Sequence, residues 1–363
     1  MSRFGALSYD RDMSFRLCVS GLAFGAALLA QQGTQQTSTW TLDASGRRVE
    51  GPSYTAIESL QGSQRQETAQ SINGRMVPIQ SAEDRVLRQD AQRKEVERII
   101  HKYDATGNPG PPMKLRIEET KNPDGSTTIQ STTYEADING NLKLFERATT
   151  QIRKGDTTEM STTVERATLN GSLQTTERST SVERKTAGGS QIDSTTLRRD
   201  ISGNFTPFMQ DVKRISKAGG EETTDAAHYV VENGKLTLAS RAIDRVRTNP
   251  DGSQISETDV YAKLSVGNAG DANAAEPRLQ QQVRRERTPG PGGVVVETTS
   301  VRARLPNDPS SFGAYEKTSQ VTYTSTDASG REVKTTETTA SRRDANGQIV
   351  VDQGRVDRSV KKQ

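Results

Sequence analysis

Two histidines, one cysteine and several aspartates beside glycine are the residues of this 363-residue chain whose types could do chemistry. A histidine acting as a general base needs a nucleophile or substrate proton within hydrogen-bond reach. His101 and His228 lie far apart, and neither falls in a Gly-x-Ser-x-Gly, His-Glu-x-x-His or phosphate-loop pattern. Cys18 sits within an N-terminal apolar run and belongs to no metal-binding spacing. Asp104-Ala-Thr-Gly107, Asp327-Ala-Ser-Gly330 and Asp344-Ala-Asn-Gly347 invite a calcium reading. They lack the spaced acidic ligands and closing glutamate of a calcium loop, and turns in which aspartate caps its own backbone explain them. The expectation is a protein that is not an enzyme, with no catalytic, cofactor-binding or metal residue.

The elements that would have to position any site are legible from composition. Hydrophobic residues make up 31% and aromatics 4% of the chain, too little for a thick core. Lys and Arg number 49 against 46 Asp and Glu, giving a net charge of +3 with the signs interleaved. That is a solvated mixed-charge surface rather than the basic stripe of a nucleic-acid binder, so no nucleic acid is expected as a partner.

Residues 1–30 read as a secretory signal peptide: Arg3, Arg11 and Arg16 precede the 14-residue apolar run Leu17 to Ala30, and Gln31 follows at once. Met13 is an alternative start. The run is short for a bilayer-spanning helix, and no later segment is apolar enough for one, so the mature chain is expected to be exported, cysteine-free and without a transmembrane helix.

Glycine turns then alternate between two classes. In the first, a polar residue and Gly precede an apolar residue, as at Asn139-Gly140-Asn-Leu142, Asn170-Gly171-Ser-Leu173, Ser202-Gly203-Asn-Phe205 and Asn233-Gly234-Lys-Leu236, with glycines 31, 32 and 31 residues apart. The second class is polar on both sides and falls halfway between: Asp124-Gly125, Gly155, Gly188-Gly189, Gly219-Gly220 and Asp251-Gly252. The first class extends to Gly46, Gly74, Gly107, Gly270, Pro306 to Asp308 and Gly347, and the second to Gly62, Asp90, Gly292 and Gly330. Between turns run about 12 residues rich in Thr, Ser, Val, Glu and Arg, which favour the pleated surface. Asn-Gly and Asp-Gly between such runs are hairpin signals, and a recurrence near 32 residues marks an array. The fold class expected is all-β: an antiparallel β-hairpin repeat array of roughly 18–20 strands in one long twisted or curled meander sheet. Residues 31–106 would hold degenerate repeats, 107–266 the regular body, and 267–363 repeats with longer loops. Ala82 to Tyr103 is the one stretch with helical character, and the turn register assigns it to strands instead.

Tyr103-Asp104-Ala-Thr-Gly107-Asn108 resembles the turns of YD/RHS-type repeat proteins. The resemblance implies a strip of successive hairpins, which in that family can wrap into a shell. It covers a few five-residue turns, its period is shorter than the one here, and it carries over no functional residue.

The function expected is a non-enzymatic structural or adhesive surface of the envelope or the cell exterior, with a glycan, a wall polymer or further copies of itself as partner. An outer-membrane β-barrel and a largely disordered secreted protein are the alternatives. The first must contend with rows such as Thr127, Ile129, Ser131, Thr133 and Glu135, which suit lipid poorly.

Overall fold

The computed structural model describes residues 33–42, 47–60, 62–263, 277–305, 308–313, 316–343 and 349–361. The expected signal peptide with Cys18, and the turns expected at Gly46, Gly270, Pro306-Asn307 and Gly347, lie outside the described residues.

The chain runs through β1 (Gly33–Leu42), β2 (Arg48–Leu60), β3 (Ser63–Ile72), β4 (Arg75–Gln89), β5 (Arg93–Lys102), β6 (Met113–Lys121) and β7 (Thr127–Ala136). It continues through β8 (Leu142–Lys154), β9 (Thr157–Ala167), β10 (Leu173–Thr186), β11 (Gly189–Arg199), β12 (Phe205–Ala218), β13 (Glu221–Glu232) and β14 (Lys235–Thr248). It ends with β15 (Gln254–Ala262), β16 (Arg278–Pro289), β17 (Val295–Leu305), β18 (Asp308–Phe312), β19 (Glu316–Thr326), β20 (Glu332–Arg343) and β21 (Ile349–Lys361). Each strand pairs antiparallel with the next, except that β17 pairs with β19 while β18 forms a short flap on the end of β17. The all-β antiparallel expectation stands.

The helix-compatible stretch is two strands. Val96, Arg98 and Ile100 of β5 lie opposite Ile117, Leu115 and Met113 of β6. Between β4 and β5 the Asp90 carboxylate accepts hydrogen bonds from the Gln92 and Arg93 amides at 2.9 and 2.7 Å, fixing the reversal. Local helix propensity yields to the pairing of an alternating apolar row.

The open curled sheet requires correction. The first and last strands meet: β1 pairs antiparallel with β21 from Gly33↔Lys361 to Thr41↔Gln353. The meander therefore closes into a 20-strand barrel, not an open array of repeats. Closure removes both free edges, whose unpaired amides and carbonyls an open sheet would leave as a template for aggregation.

The two turn classes go to opposite ends of the barrel. One rim holds the turns 73–74, 104–108, 137–141, 168–172, 200–204 and 233–234, and the other holds 122–126, 187–188, 219–220, 249–253 and 327–331. Glycine is needed at turns such as 104–108 and 137–141 because Gly107 and Gly140 have φ of +88° and +81°. Five strands leaving the first rim carry a bulge five residues after the turn glycine, at Ile79, Phe145, Thr176, Phe208 and Ala239. Bulges at a barrel rim steepen the local twist that closure requires.

Candidate functional site

An eight-strand barrel is just filled by its own side chains, and 16–18 strands leave room for a channel, so the side chains of a 20-strand wall are too few to fill its interior. Among the described residues no side chain is completely buried; Ile129 and Thr335, each 2% exposed, come nearest. The wall is one layer thick and is itself the candidate site.

Residues directly opposite each other in an antiparallel ladder share a face. On one face this rule traces a row of hydroxyl, amide and carboxylate groups across the seam: Thr322, Thr336, Asp357, Thr37, Thr55, Thr68 and Gln80. Three neighbouring pairs in that row bond each other. Thr37 Oγ1 donates to Asp357 Oδ1 at 2.5 Å, and the hydroxyls of Thr322–Thr336 and Thr55–Thr68 lie 3.0 and 3.3 Å apart. The same face continues through Ile129, Thr150, Thr162, Ser179 and Thr196, with the Thr150 and Thr162 hydroxyls 2.9 Å apart.

That face also carries directly opposed ion pairs. Arg98 donates to both carboxylate oxygens of Asp84 at 2.5 and 2.6 Å, and Asp84 is 4% exposed. Arg166 reaches Glu146 at 2.8 Å, and Arg198 reaches Glu177 at 3.5 Å. The other face is no less polar: Arg184–Asp193, Arg241–Asp225 and Arg245–Asp259 bridge diagonal neighbours at 3.1, 2.7 and 3.2 Å. A barrel that spans lipid turns an apolar band about 25 Å tall outward. Among the described residues neither face of this wall offers one.

The seam is held by more than its ladder. Trp40, the sole tryptophan, is 8% exposed and lies opposite Gly354 of β21, with the Arg48 guanidinium 4.2 Å above its ring. A Cβ on residue 354 would fall 2.6 Å from the indole Nε1 and closer still to Cε2 and Cζ2. Only glycine leaves room for the ring there.

Among the described residues, those first considered for chemistry are dispersed over this wall. His228 Nδ1 lies 2.7 Å from Asp211 Oδ1, its direct cross-strand partner, and His101 Nδ1 lies 3.5 Å from the Gly110 carbonyl oxygen, on a different hairpin. Asp104 spends its carboxylate on its own turn, accepting from the Thr106 hydroxyl at 2.7 Å and from the Thr106 and Asn108 amides at 2.9 Å each. Those bonds, the Thr106 hydroxyl first, hold its pKa well below the ordinary aspartate value. Asp137 is lowered by Lys143 and the Asn141 amide, Asp124 and Asp251 by the following serines, and Asp327 by the Arg331 amide. Asp327 binds the Ser329 and Arg331 amides at 2.9 Å each. Among the described residues no group of three or more His, Cys, Asp or Glu is placed to hold a metal ion.

Sequence reasoning missed the opposed pairs Asp84–Arg98 and Asp211–His228 and the Trp40–Gly354 contact. Their partners become neighbours only once strand register is set. One partial signal was available: Val356-Asp357-Arg358 matches Ile243-Asp244-Arg245 of β14, a strand that is paired on both edges.

No family model matches the chain, and no curated protein does. Among solved structures, the barrel is similar to a BenF-like porin from Pseudomonas fluorescens Pf-5, at 10% identity over 91% of this chain and 98% of that chain, with a TM-score of 0.45. OccK8 (OprE) of Pseudomonas aeruginosa matches at 10% identity over 91% and 97%, with a TM-score of 0.45. OmpF of Salmonella typhi, in complex with daunomycin, matches at 8% identity over 91% and 96%, with a TM-score of 0.34. The barrel assignment rests on this chain's own strand ladder and not on these likenesses. Among the described residues no helix is long and apolar enough to cross a membrane, which says nothing of crossing by strands.

Proposed function

We propose that this exported chain is a non-enzymatic, hollow β-barrel of the cell envelope whose wall encloses or passes polar solutes. The observation that carries this reading is the β1–β21 seam, which turns a sheet into a tube. Closure favours the barrel alternative over the open adhesive sheet, because a tube has no free edge on which to add copies of itself. The threonine and serine rows suit hydroxylated, uncharged solutes such as glycans, each offering donors and acceptors at the roughly 4.8 Å strand spacing.

Ion pairs on both faces favour a tube standing in the aqueous part of the envelope. An outer-membrane-spanning barrel is the second reading, favoured by the closure and the strand number. One preparation separates the two. The tube in water purifies without detergent as a monodisperse species, and its small-angle scattering has the minimum of a hollow cylinder. A spanning barrel requires detergent and raises the conductance of a planar bilayer. A scattering curve of a solid globule or of an unfolded chain would end both readings.

A further inference from the structure

Seven five-residue turns share one construction: the amide of the first residue bonds the carbonyl of the fifth, and the amide of the fourth, a glycine, bonds the carbonyl of the first. Their second residue points away from the wall and takes no part in these bonds. At 122–126, 249–253 and 327–331, all on one rim, it is Pro123, Pro250 and Ala328. At 104–108, on the other rim, it is Ala105. The turn therefore forms equally well with a small residue or proline there.

At 137–141, 168–172 and 200–204 the same position holds Ile138, Leu169 and Ile201. They are 102%, 108% and 107% exposed, so they contribute nothing to packing within the barrel. All three belong to consecutive hairpins of one rim, joining β7–β8, β9–β10 and β11–β12. Neighbouring tips on one rim are two strands apart, roughly 10 Å. On the strands leaving these turns Leu142, Phe145 and Phe208 are 41%, 43% and 39% exposed, the Phe208 ring lying 3.7 Å under the Arg198 guanidinium.

We propose that this rim docks on a lipid bilayer, with Ile138, Leu169 and Ile201 entering the acyl region as three separate points. The spacing selects lipid over a protein partner. A stable protein interface needs a contiguous patch of roughly 800 Å² on each side. Single aliphatic side chains about 10 Å apart on polar turns do not make such a patch, but a fluid apolar phase takes each independently. The proposal rests on the reading of a wall wet on both faces, since a barrel spanning the bilayer would hold these tips in water.

The test is flotation of the full chain with phosphatidylcholine vesicles, and with vesicles of phosphatidylcholine and phosphatidylglycerol. Binding to both is expected, and moderate salt leaves it intact. Each tip changed to serine should weaken partitioning roughly tenfold, and Ile138→Ser with Leu169→Ser and Ile201→Ser roughly a thousandfold. Pro123→Ser with Pro250→Ser, on the opposite rim, leaves it unchanged. Because the tips are wholly exposed, these variants should keep the wild-type circular dichroism and Trp40 emission. Leu169→Trp adds an emitter whose fluorescence moves to shorter wavelength when vesicles are added. Failure of the wild type to float, equal flotation of the triple variant, or binding confined to anionic vesicles and abolished by salt would each overturn the docking. So would tips that govern self-association while vesicles are ignored. Vesicle protection of the strand interiors from protease would overturn the docking and the water-standing wall together, whereas loss of flotation alone overturns only the docking.

Discussion

Replacing Gly354 by alanine tests the seam at its tightest point. Strand glycine is less favourable than alanine by about 0.5–1 kcal/mol, so backbone considerations alone predict that Gly354→Ala stabilises the protein. The structure reverses that sign, because the added Cβ would overlap the indole of Trp40. Trp40 is 8% exposed, and a tryptophan buries on the order of 200 Å². Pushing half of that area into water costs about 2.5 kcal/mol at about 25 cal/mol/Å². After the backbone gain, Gly354→Ala should destabilise by about 1.5–2 kcal/mol. With Trp40→Ala already in place the obstruction is gone, and Gly354→Ala should stabilise by about 0.5–1 kcal/mol. The coupling across the double-mutant cycle is then about 2.5 kcal/mol. Urea denaturation of the four proteins measures it, and the emission of Trp40, the sole tryptophan, should shift to longer wavelength in Gly354→Ala. A Gly354→Ala protein at least as stable as wild type, with unchanged emission, would refute the reasoning and with it the geometry of the seam.

Three further perturbations address other parts of the wall. Arg98→Ala strands the nearly buried Asp84 carboxylate without its bidentate partner and should cost about 3–5 kcal/mol in urea denaturation, while Asp84→Leu with Arg98→Met should cost far less; equal losses would show that the pair is not acting as a unit. Thr150→Val removes the hydroxyl shared with Thr162 and should cost about 1 kcal/mol, an effect that vanishes when Thr162→Val is already present. The turn aspartates Asp104, Asp124, Asp137, Asp251 and Asp327 have lowered pKa values, so they bind protons less readily folded than unfolded. Their contribution is therefore complete above the ordinary carboxylate range near pH 4 and is lost as the pH falls through the folded values. Amide protection at Gly140 and Gly330 should begin to drop only below about pH 4, ahead of the strand interiors and with Gly107 the last of the three to follow, and rim protection lost already above that pH would contradict the assignment.

Much of the local structure was legible because it is made of local signals. Asp137-Ile-Asn-Gly140-Asn closes on itself within five residues, so its turn could be read directly from residue types. The alternation of turn classes follows from the meander, since successive reversals must fall at opposite ends of antiparallel strands. Register also outweighed propensity correctly over Ala82 to Tyr103, where Arg98 faces Asp84 on one side and Leu115 on the other. The site was not legible in this way. Thr37 and Asp357 are 320 residues apart, and no residue pattern near either names the other.

The amino-acid sequence by itself determined antiparallel strands, reversal at glycine-bearing turns, and a wall with too few apolar groups for a thick core, because each depends on residues within one hairpin. Only the tertiary structure decided that the wall closes, that Trp40 packs on Gly354, and that charged pairs occupy both faces. The physical reason is that twist and bulges accumulate over all twenty strands before β21 meets β1, and no single hairpin carries that sum.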